Sequence, residues 1–257
     1  MTGYKYKAID SELRGFADNF ENRIADGSGP HDRDYFDTIK MLLAMKHEGS
    51  LLDIGAGVGR VTYFSRHIIA ETIALEPDEE RWKACHKAYH QPPTCQVIHQ
   101  MTTAYIADNP DKSFDIVILG MVIQHMSTTS ARALLAEVAS LLKPDGIAII
   151  FTTHTVDEAR GFTYSNAAPD EIYVNEEDYN RYADESSDGS KGLPVHRFSK
   201  AELLDFLAPF FDTLYWRQVS YYREDRAAHF EHRLQLEPGS LKNVGISQFA
   251  VVKNRSR

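Results

Sequence analysis

Residues 51–60 of the 257-residue chain read LLDIGAGVGR, a short apolar run followed by glycines at every second position. The apolar run is typical of a buried strand. The glycines permit the tight turn and the close ligand approach that occur where such a strand passes into a helix. Amide groups at the start of that helix would point at the ligand. The stretch therefore predicts a strand, a ligand-binding turn and a helix.

Strand-like and helical patterns alternate along the chain after this turn. Such alternation predicts βαβ units, in which a parallel sheet is covered by helices on both faces. The last two strand-like runs have no strong helix between them, so we expect them to pair antiparallel. The predicted strands are 51–54, 72–75, 95–99, 114–119, 147–151, 214–222 and 248–252, and the predicted helices are 61–69, 81–89, 131–142 and 199–210.

Two segments fall outside this alternation. Residues 1–48 have a helical pattern, and we expect them to form an N-terminal helical cap segment before a domain that spans residues 49–257. Residues 155–197 interrupt the alternation with ten acidic side chains, four basic ones and five aromatic ones. Carboxylates and aromatic faces attract cations, although an acidic loop can also be a solvated surface. We predict that this insertion caps a site for a cationic or aromatic substrate.

The composition limits the class of protein. With 43% hydrophobic and 25% charged residues the chain is globular, and it has no apolar run long enough for a membrane helix and no signal-peptide pattern. A formal net charge of −9 argues against a protein that mainly binds nucleic acid. Two cysteines are too few for a disulfide framework. We expect a cytoplasmic protein with no nucleic-acid partner and no membrane partner.

Three side chains near the glycine turn indicate the kind of ligand. Arg60 stands where a dinucleotide-binding fingerprint has its last glycine, which disfavours a pyrophosphate. Asp53 precedes the first glycine by two residues and suits the amino group of a zwitterionic ligand. Glu76 follows the second predicted strand, where a carboxylate can bind both ribose hydroxyls, or can simply be a solvated strand end. Together these residues predict a ligand that contains adenosine with a free ribose.

Four motifs occur in a characteristic order. They are Asp53–Gly59 with Glu76, then Phe114–Gly120, then Leu141–Gly146, and finally Arg197–Ser199 ahead of Ala201–Leu204. In these motifs the chain resembles the Rossmann-like (class I) S-adenosylmethionine-dependent methyltransferases. The resemblance implies an α/β three-layer sandwich with a seven-stranded, mostly parallel sheet, an antiparallel last strand, N-terminal helices and an inserted cap after the fifth strand. It also implies S-adenosylmethionine as cofactor and S-adenosylhomocysteine as product.

The resemblance implies a place for each part of the cofactor. Gly55 and Gly57 would face the methionine part, and Gly120 and Met121 would lie near the transferred methyl group. Many members have an acidic residue after the third strand to bind the adenine amino group, but residues 100–103 read QMTT. The full predicted cofactor-binding set is Asp53, Gly55, Ala56, Gly57, Glu76, Pro77, Met101, Thr102, Gly120 and Met121.

His125 is the predicted catalytic residue. It follows the fourth strand by a few residues, and a neutral imidazole can accept a proton from a nucleophile. Residues 120–126, GMVIQHM, resemble the equivalent stretch of the protein α-N-terminal methyltransferases, whose histidine acts near the substrate amine. A histidine at this position can also be a packed start of the next helix, so a structural role stays open.

A metal site is not expected. Adjacent positions such as 85 and 86 point to different faces of a helix, and the spacing of the possible ligands matches no recognised zinc signature. The possible ligands are Cys85, His86, His90, Cys95 and His99, with His229 and His232 as a second pair.

The predicted function is methyl transfer from S-adenosylmethionine to an N or O nucleophile of a small-molecule acceptor, cationic or aromatic in character. One alternative is a methyltransferase of a protein N-terminus or another macromolecule. A second alternative is a non-catalytic S-adenosylmethionine-binding protein. A nicotinamide-dependent oxidoreductase is disfavoured because Arg60 replaces the glycine of the dinucleotide pattern.

Overall fold

The structure is a computed structural model. It describes residues 33–156, 161–165, 172–185, 193–219, 231–232, 235, 237–239 and 247–255. Most of the predicted N-terminal cap segment, residues 1–32, lies outside these ranges. Among the described residues, no helix has the length and apolar character needed to span a lipid bilayer.

The described strands belong to a large sheet and a small one. They are β1 Ser50–Ile54, β2 Glu71–Leu75, β3 Cys95–Ile98, β4 Phe114–Gly120, β5 Leu142–Thr153, β6 Phe162–Ser165, β7 Ile172–Tyr173, β8 Leu193–His196, β9 Phe211–Val219 and β10 Ser247–Asn254. The large sheet has seven strands in the order β3-β2-β1-β4-β5-β10-β9. All are parallel except β10, which is antiparallel to both β5 and β9. The predicted Rossmann-like fold is confirmed.

Helices connect these strands. They are α1 Arg33–Met45, α2 Arg60–Ser65, α3 Glu79–Tyr89, α4 Thr102–Asp108, α5 Thr128–Leu141, α6 Glu176–Asp184 and α7 Lys200–Leu207, with a 3₁₀ turn at Ile123–His125. Two of them begin earlier than the apolar pattern predicts. Asp78 caps α3 and Ser127 caps α5, each by accepting a hydrogen bond from a backbone N–H of the first turn. Because these first turns are polar, the apolar pattern does not include them.

Two other boundaries also differ from prediction. Strand β5 begins at Leu142, which pairs with Phe114 before a register shift, so residues 143–146 form an irregular start of the strand. Strand β9 begins three residues before the predicted one, at Phe211. Neither shift changes the order or the direction of the strands.

The core occupies both faces of the large sheet. Alternate residues of β1, β4 and β5 point to opposite faces and belong to different apolar clusters. One cluster includes α5 and α7, and the other includes α1 through Tyr35, Ile39 and Leu43. This double coverage explains why the central strands are continuously apolar in sequence.

The insertion after β5 forms its own small sheet, in the order β7-β6-β8, together with α6. Tyr164, Tyr179 and Tyr182 are buried in it, so they serve as core and not as exposed aromatic faces. The hydroxyl of Tyr179 donates to the carbonyl oxygens of Gln124 (2.7 Å) and Met126 (2.8 Å). These bonds attach the insertion to the loop that follows β4.

Replacing Tyr179 with phenylalanine is expected to lower the free energy of unfolding by about 1–2 kcal/mol, because two carbonyl oxygens, one of them buried, lose the hydroxyl proton that they share. Urea denaturation measures the change. The matched control is Tyr173→Phe, since Tyr173 is 45% exposed and its replacement should cost less than about 0.5 kcal/mol. Equal effects of the two changes would contradict the anchoring role of Tyr179.

Candidate functional site

A cavity of about 410 Å³ opens at the carboxyl ends of β1, β2 and β4, where parallel α/β sheets bind ligands. Seven of the predicted site residues line it, namely Gly55, Glu76, Pro77, Met101, Thr102, Met121 and His125. A smaller cleft of about 20 Å³ adjoins it at Gly55. Asp53, Ala56 and Gly120 line that cleft. The structure thus brings ten of the eleven predicted residues to the walls of these two spaces, and Gly57 lines neither of them.

In the glycine turn, a side chain would find open space at Gly57 but would clash at Gly59. Gly57 has φ +60°, and a Cβ built there would have no atom within 4 Å, so a ligand can approach the backbone closely. Gly59 has φ +94°, and a Cβ there would lie 2.6 Å from the ring of Tyr89 on α3. The backbone at Gly57 is therefore open, whereas Gly59 allows the turn to pack against the following helix.

Glu76 links the glycine turn to the start of α3. Its carboxylate accepts hydrogen bonds from the backbone N–H groups of Gly57 (2.7 Å) and Asp78 (2.8 Å). Burial raises its pKa, and these two hydrogen bonds partly oppose the rise. Each carboxylate oxygen has a second lone pair, so both can still accept ribose hydroxyls. The chemistry of Glu76 fits the ribose of the cofactor.

Changing Glu76 to glutamine is expected to raise the Kd for S-adenosylhomocysteine about 10- to 100-fold. The amide keeps only one acceptor oxygen, and its NH₂ group faces a backbone donor. Isothermal titration calorimetry measures the affinity. The control is Glu80→Gln, because Glu80 is exposed on α3. If the two variants bind the ligand equally well, Glu76 does not bind the ribose.

Asp53 is a buried carboxylate at the end of β1. Its Oδ2 accepts a hydrogen bond from Oγ1 of Thr62 (3.1 Å). Burial is the main cause that raises its pKa to about 7. The hydrogen bond from Thr62 lowers the pKa, the negative charge of Glu76 raises it, and the positive charge of Arg60 lowers it. A buried carboxylate whose pKa is raised by burial is suited to bind an ammonium group of a ligand.

The predicted adenine region lies between the loops after β2 and β3. Met101 is 46% exposed and lines the cavity, as Pro77 does. His99 Nε2–H donates to the carbonyl oxygen of Pro77 (2.9 Å), which fixes that loop. Residues 100–103 contain no acidic side chain, but an acidic side chain from another part of the chain lies beside them. Glu137 of α5 lines the same cavity and accepts a hydrogen bond from Oγ1 of Thr103 (2.6 Å).

The residues at the end of β4 have unusual backbone positions. Met121 has φ +61°, which is strained for a residue with a side chain, and its N–H donates to the carbonyl oxygen of Phe151 (2.8 Å). A Cβ on Gly120 would lie 2.9 Å from the hydroxyl of Tyr35, so α1 approaches the site closely here. Met121 therefore lies at the cavity wall in a strained backbone conformation, and its hydrogen bond to Phe151 helps to hold it there.

His125 is held from both sides. Its Nδ1–H donates to the carbonyl oxygen of Pro194 on β8 (2.8 Å), which makes Nε2 the acceptor nitrogen. The side-chain amide N–H of Gln124 donates to that Nε2 (3.1 Å), and Gln124 Oε1 accepts from Oγ1 of Thr152 (3.3 Å). Burial lowers the pKa of His125 to about 4, so the imidazole is neutral at pH 7. The insertion thus fixes the tautomer of the predicted catalytic residue.

Sequence reasoning missed several lining residues that come from distant elements. They are Ser130, Ala133, Leu134, Glu137, Ala183 and Asp184. Residues of α5 and α6 reach the cavity only through packing, and no local motif marks them.

The described residues contain no group of three or more histidine, cysteine, aspartate or glutamate side chains that could hold a metal ion. Cys85 and Cys95 are buried thiols. His90 Nδ1 accepts a hydrogen bond from the backbone N–H of Val97 (3.1 Å). His229 lies outside the described residues.

Residues 52–150, which run from β1 into β5, match the family model of a methyltransferase domain. By this match the stretch is a methyltransferase domain, and the order of the seven strands is that of the Rossmann-like fold. Among solved structures of this fold, a 1,6-didemethyltoxoflavin-N1-methyltransferase and the N-methyltransferase NodS from Bradyrhizobium japonicum each contain bound S-adenosylhomocysteine. No curated protein matches the chain.

Solved structures of methyltransferases have the same fold. An S-adenosylmethionine-dependent methyltransferase from Mesorhizobium loti has a TM-score of 0.58 and 14% identity, over 85% of this chain and 96% of that one. The Burkholderia thailandensis 1,6-didemethyltoxoflavin-N1-methyltransferase, with bound 1,6-didemethyltoxoflavin and S-adenosylhomocysteine, has a TM-score of 0.52 and 17% identity, over 97% and 92%. A chain from a complex that contains the Haloferax volcanii Trm112 methyltransferase activator has a TM-score of 0.59 and 16% identity, over 97% and 99%. At these identities the similarity establishes the fold.

Proposed function

We propose that this methyltransferase acts on an N or O nucleophile of a small-molecule acceptor that is cationic or aromatic. One observation carries the proposal. His125 and Asp184, the latter from the insertion, line the same cavity as the proposed cofactor-binding residues Gly55 and Glu76. The cavity volume of about 410 Å³ lies in the range of small-molecule sites, which is roughly 300–1,000 Å³.

The charges around the cavity support a cationic acceptor. Three carboxylates line it, from Glu76, Glu137 and Asp184, against one guanidinium from Arg81. Clefts with an excess of one charge raise the local concentration of ligands with the opposite charge. A cationic amine would be attracted to such a cavity, whereas an anionic acceptor would be repelled.

The proposed cofactor contacts follow the geometry above. Glu76 binds the ribose, and Asp53 and the backbone of the glycine turn hold the methionine part. Pro77, Met101 and Thr102 enclose the adenine. Gly120 and Met121 lie near the methyl group that the cofactor transfers. The proposed cofactor-binding set is therefore Asp53, Gly55, Ala56, Gly57, Glu76, Pro77, Met101, Thr102, Gly120 and Met121.

When bound, S-adenosylmethionine supplies an electrophilic methyl group on a positively charged sulfur. The protein then needs to align the acceptor. The neutral Nε2 of His125 accepts a hydrogen bond from the side-chain amide of Gln124, and in our proposal an acceptor N–H or O–H takes the place of that donor, which orients the nucleophile. A group with a pKa of about 4 is a weak base, so the main role of His125 is orientation. Water takes the proton released from the acceptor.

We propose that two segments close the site. The N-terminal segment, residues 1–48, contains α1, whose Tyr35 reaches Gly120. The insertion, residues 155–197, contains α6, whose Ala183 and Asp184 line the cavity. We also propose a cytoplasmic enzyme without nucleic-acid or membrane partners, and the net charge of −9 supports the absence of a nucleic-acid partner.

The runner-up function is methylation of a protein N-terminus or another macromolecule, and the resemblance of residues 120–126 favours it. The test incubates the enzyme and S-adenosylmethionine with amines, phenols, peptides with free N-termini, and RNA. Mass spectrometry measures S-adenosylhomocysteine and the methylated product. Turnover with small amines or phenols supports the proposal. Turnover with peptides or RNA alone would establish the runner-up, and binding without any turnover would indicate a non-catalytic protein.

A further inference from the structure

Two buried side chains form a hydrogen-bonded relay with His125. Oγ1 of Thr152 on β5 donates to Oε1 of Gln124 (3.3 Å), and the side-chain amide of Gln124 donates to Nε2 of His125 (3.1 Å). Thr152 and Gln124 are both fully buried. On the other side of the ring, Nδ1–H of His125 donates to the carbonyl oxygen of Pro194 (2.8 Å). The relay therefore holds His125 from both of its ring nitrogens.

The direction of each hydrogen bond in the relay follows from the carbonyl group of Pro194. A carbonyl oxygen only accepts, so it places the proton of the neutral imidazole on Nδ1 and leaves a lone pair on Nε2. The group that faces this lone pair must donate. The NH₂ of Gln124 therefore points toward His125, and its Oε1 points toward the hydroxyl of Thr152.

This arrangement disfavours a proton on Nε2 of His125. An imidazolium would direct its Nε2–H at the amide N–H of Gln124, so that two donors would face each other. Burial is the main cause that lowers the pKa of His125 to about 4. The hydrogen bond to Pro194 raises the pKa, and the positive charge of Arg81 lowers it. Nε2 thus accepts a hydrogen bond readily but takes up a proton poorly.

Amine and hydroxyl acceptors differ in what they need from such a nitrogen. A neutral amine forms the N–CH₃ bond with its lone pair, displaces the sulfur with the electron pair of the S–CH₃ bond, and becomes an ammonium that later gives its proton to water. A neutral hydroxyl would become a strongly acidic oxonium, so its proton has to pass to a base as the O–CH₃ bond forms. A weakly basic Nε2 suits the first reaction and not the second.

We propose that Gln124, oriented by Thr152, is a positioning residue that keeps Nε2 of His125 a hydrogen-bond acceptor and so restricts the enzyme to amine nitrogen as the nucleophile. An amine N–H takes the place of the Gln124 N–H without any change in the protonation of the ring. The inference rests on the proposed function, because it narrows the N or O acceptor named there to nitrogen.

The first experiment offers the full-length enzyme both nucleophiles in one molecule. Tyramine, 3-aminophenol and ethanolamine each carry an amine and a hydroxyl, and they are incubated with S-adenosylmethionine beside the other small molecules of the screen. Fragmentation in the mass spectrometer locates the methyl group, which we expect on nitrogen. Methyl transfer to oxygen would overturn the inference and leave the proposed function intact. No turnover with any small molecule would contradict the proposed function and, with it, the inference.

The second experiment tests the relay without an acceptor. Nitrogen-15 NMR of the histidine rings in the ligand-free protein should show the proton of His125 on Nδ1, and His125→Ala identifies its signals. Gln124→Glu should raise the midpoint of the His125 titration by about two pH units, because a carboxylate stabilises an imidazolium. A proton on Nε2 in the wild-type protein, or an unchanged midpoint in Gln124→Glu, would overturn the inference.

Kinetics with an amine acceptor separate the charge of residue 124 from its shape. Gln124→Glu should lower kcat at pH 7 about 100-fold, whereas Gln124→Met, of similar length and without charge, should lower it less than about 10-fold. The Kd for S-adenosylhomocysteine should change little in both variants. Gln91→Glu is the control, because Gln91 is exposed after α3. Circular dichroism and thermal unfolding check each fold. Equal losses of kcat in the two Gln124 variants would show that Gln124 acts by packing alone, which overturns the inference.

Discussion

Asp53→Asn is expected to raise the free energy of unfolding of the ligand-free protein at pH 8 by about 2–4 kcal/mol. Burial raises the pKa of Asp53 to about 7, so at pH 8 the folded protein holds a charge that the interior disfavours. One pKa unit corresponds to about 1.4 kcal/mol, so a rise from about 3.9 to 7 sets an upper limit of about 4 kcal/mol. Asparagine is neutral and can still accept the hydrogen bond from Thr62.

The pH dependence has a definite sign. The folded protein binds the Asp53 proton more tightly than the unfolded chain does, so this group stabilises the fold below pH 4. That contribution is lost as the pH rises through 7. The gain from Asp53→Asn should therefore be large at pH 8 and small at pH 5. Urea denaturation at the two pH values measures the difference.

The same substitution should weaken the binding of S-adenosylhomocysteine at least 10-fold, because the ammonium group loses its carboxylate. Binding to the wild-type protein near pH 6.5 should release a proton from Asp53, since the ammonium favours the ionised form. Calorimetry in two buffers with different ionisation enthalpies measures this release, and Asp53→Asn should abolish it. An unchanged affinity would contradict the role of Asp53.

Asp115 provides a control of opposite sign. Burial raises its pKa, but hydrogen bonds from Lys143 and Ser50 outweigh that effect and hold the pKa below its usual value. Its contribution to stability is present at neutral pH and is lost as the pH falls. Asp115→Asn should therefore destabilise the protein at pH 8. If both substitutions shift stability in the same direction, burial is not the cause of the Asp53 effect.

The architecture could be predicted from the sequence because the central strands are buried on both faces. Leu51 and Leu52 point to opposite faces of β1, yet both must be apolar, so a continuous apolar run marks the strand. Helix starts were less predictable. The first turns of α3 and α5 follow the polar caps Asp78 and Ser127 and contribute little to the apolar pattern. Apolar periodicity therefore locates an element better than it locates its ends.

The site was predictable where its residues are close in sequence. Gly57 and Glu76 belong to one βαβ unit, so their spacing indicates their proximity. Glu137 and Asp184 reach the cavity from α5 and α6, and only tertiary packing brings them there. Tyr179 shows the same limit, because a sequence does not distinguish an aromatic ring in a substrate pocket from one buried in the core of an insertion.

His125→Ala is expected to lower kcat about 100-fold and to change the Kd for S-adenosylhomocysteine less than 3-fold. The imidazole contacts the acceptor in our proposal, whereas Glu76 and the glycine turn bind the cofactor. Orientation of a nucleophile and contact with its proton are each worth a factor of this size. Steady-state kinetics with the acceptor found in the screen, together with calorimetry of the cofactor product, separate the two quantities.

The pH profile distinguishes an orienting imidazole from an ordinary base. Because burial lowers the pKa of His125 to about 4, its neutral form is present throughout pH 5–8 and is lost only as the pH falls through 4. The profile is measured at saturating S-adenosylmethionine, where in our proposal the bound ammonium keeps Asp53 ionised. Under this condition kcat should not fall near pH 6.5 through protonation of His125. A limb at that pH that disappears in His125→Ala would contradict the neutral, orienting role.

Two variants complete the test of His125. His125→Gln keeps an acceptor oxygen in roughly the same place, so it should recover part of the kcat lost in His125→Ala. His67→Ala is the control, because His67 is exposed after α2 and outside both cavities. If His125→Ala leaves kcat intact, His125 does not act on the acceptor. Its role is then only structural, since its hydrogen bond to Pro194 links the insertion to the loop after β4. Recovery by glutamine, with cofactor affinity unchanged in every variant, would establish that the imidazole acts on the acceptor.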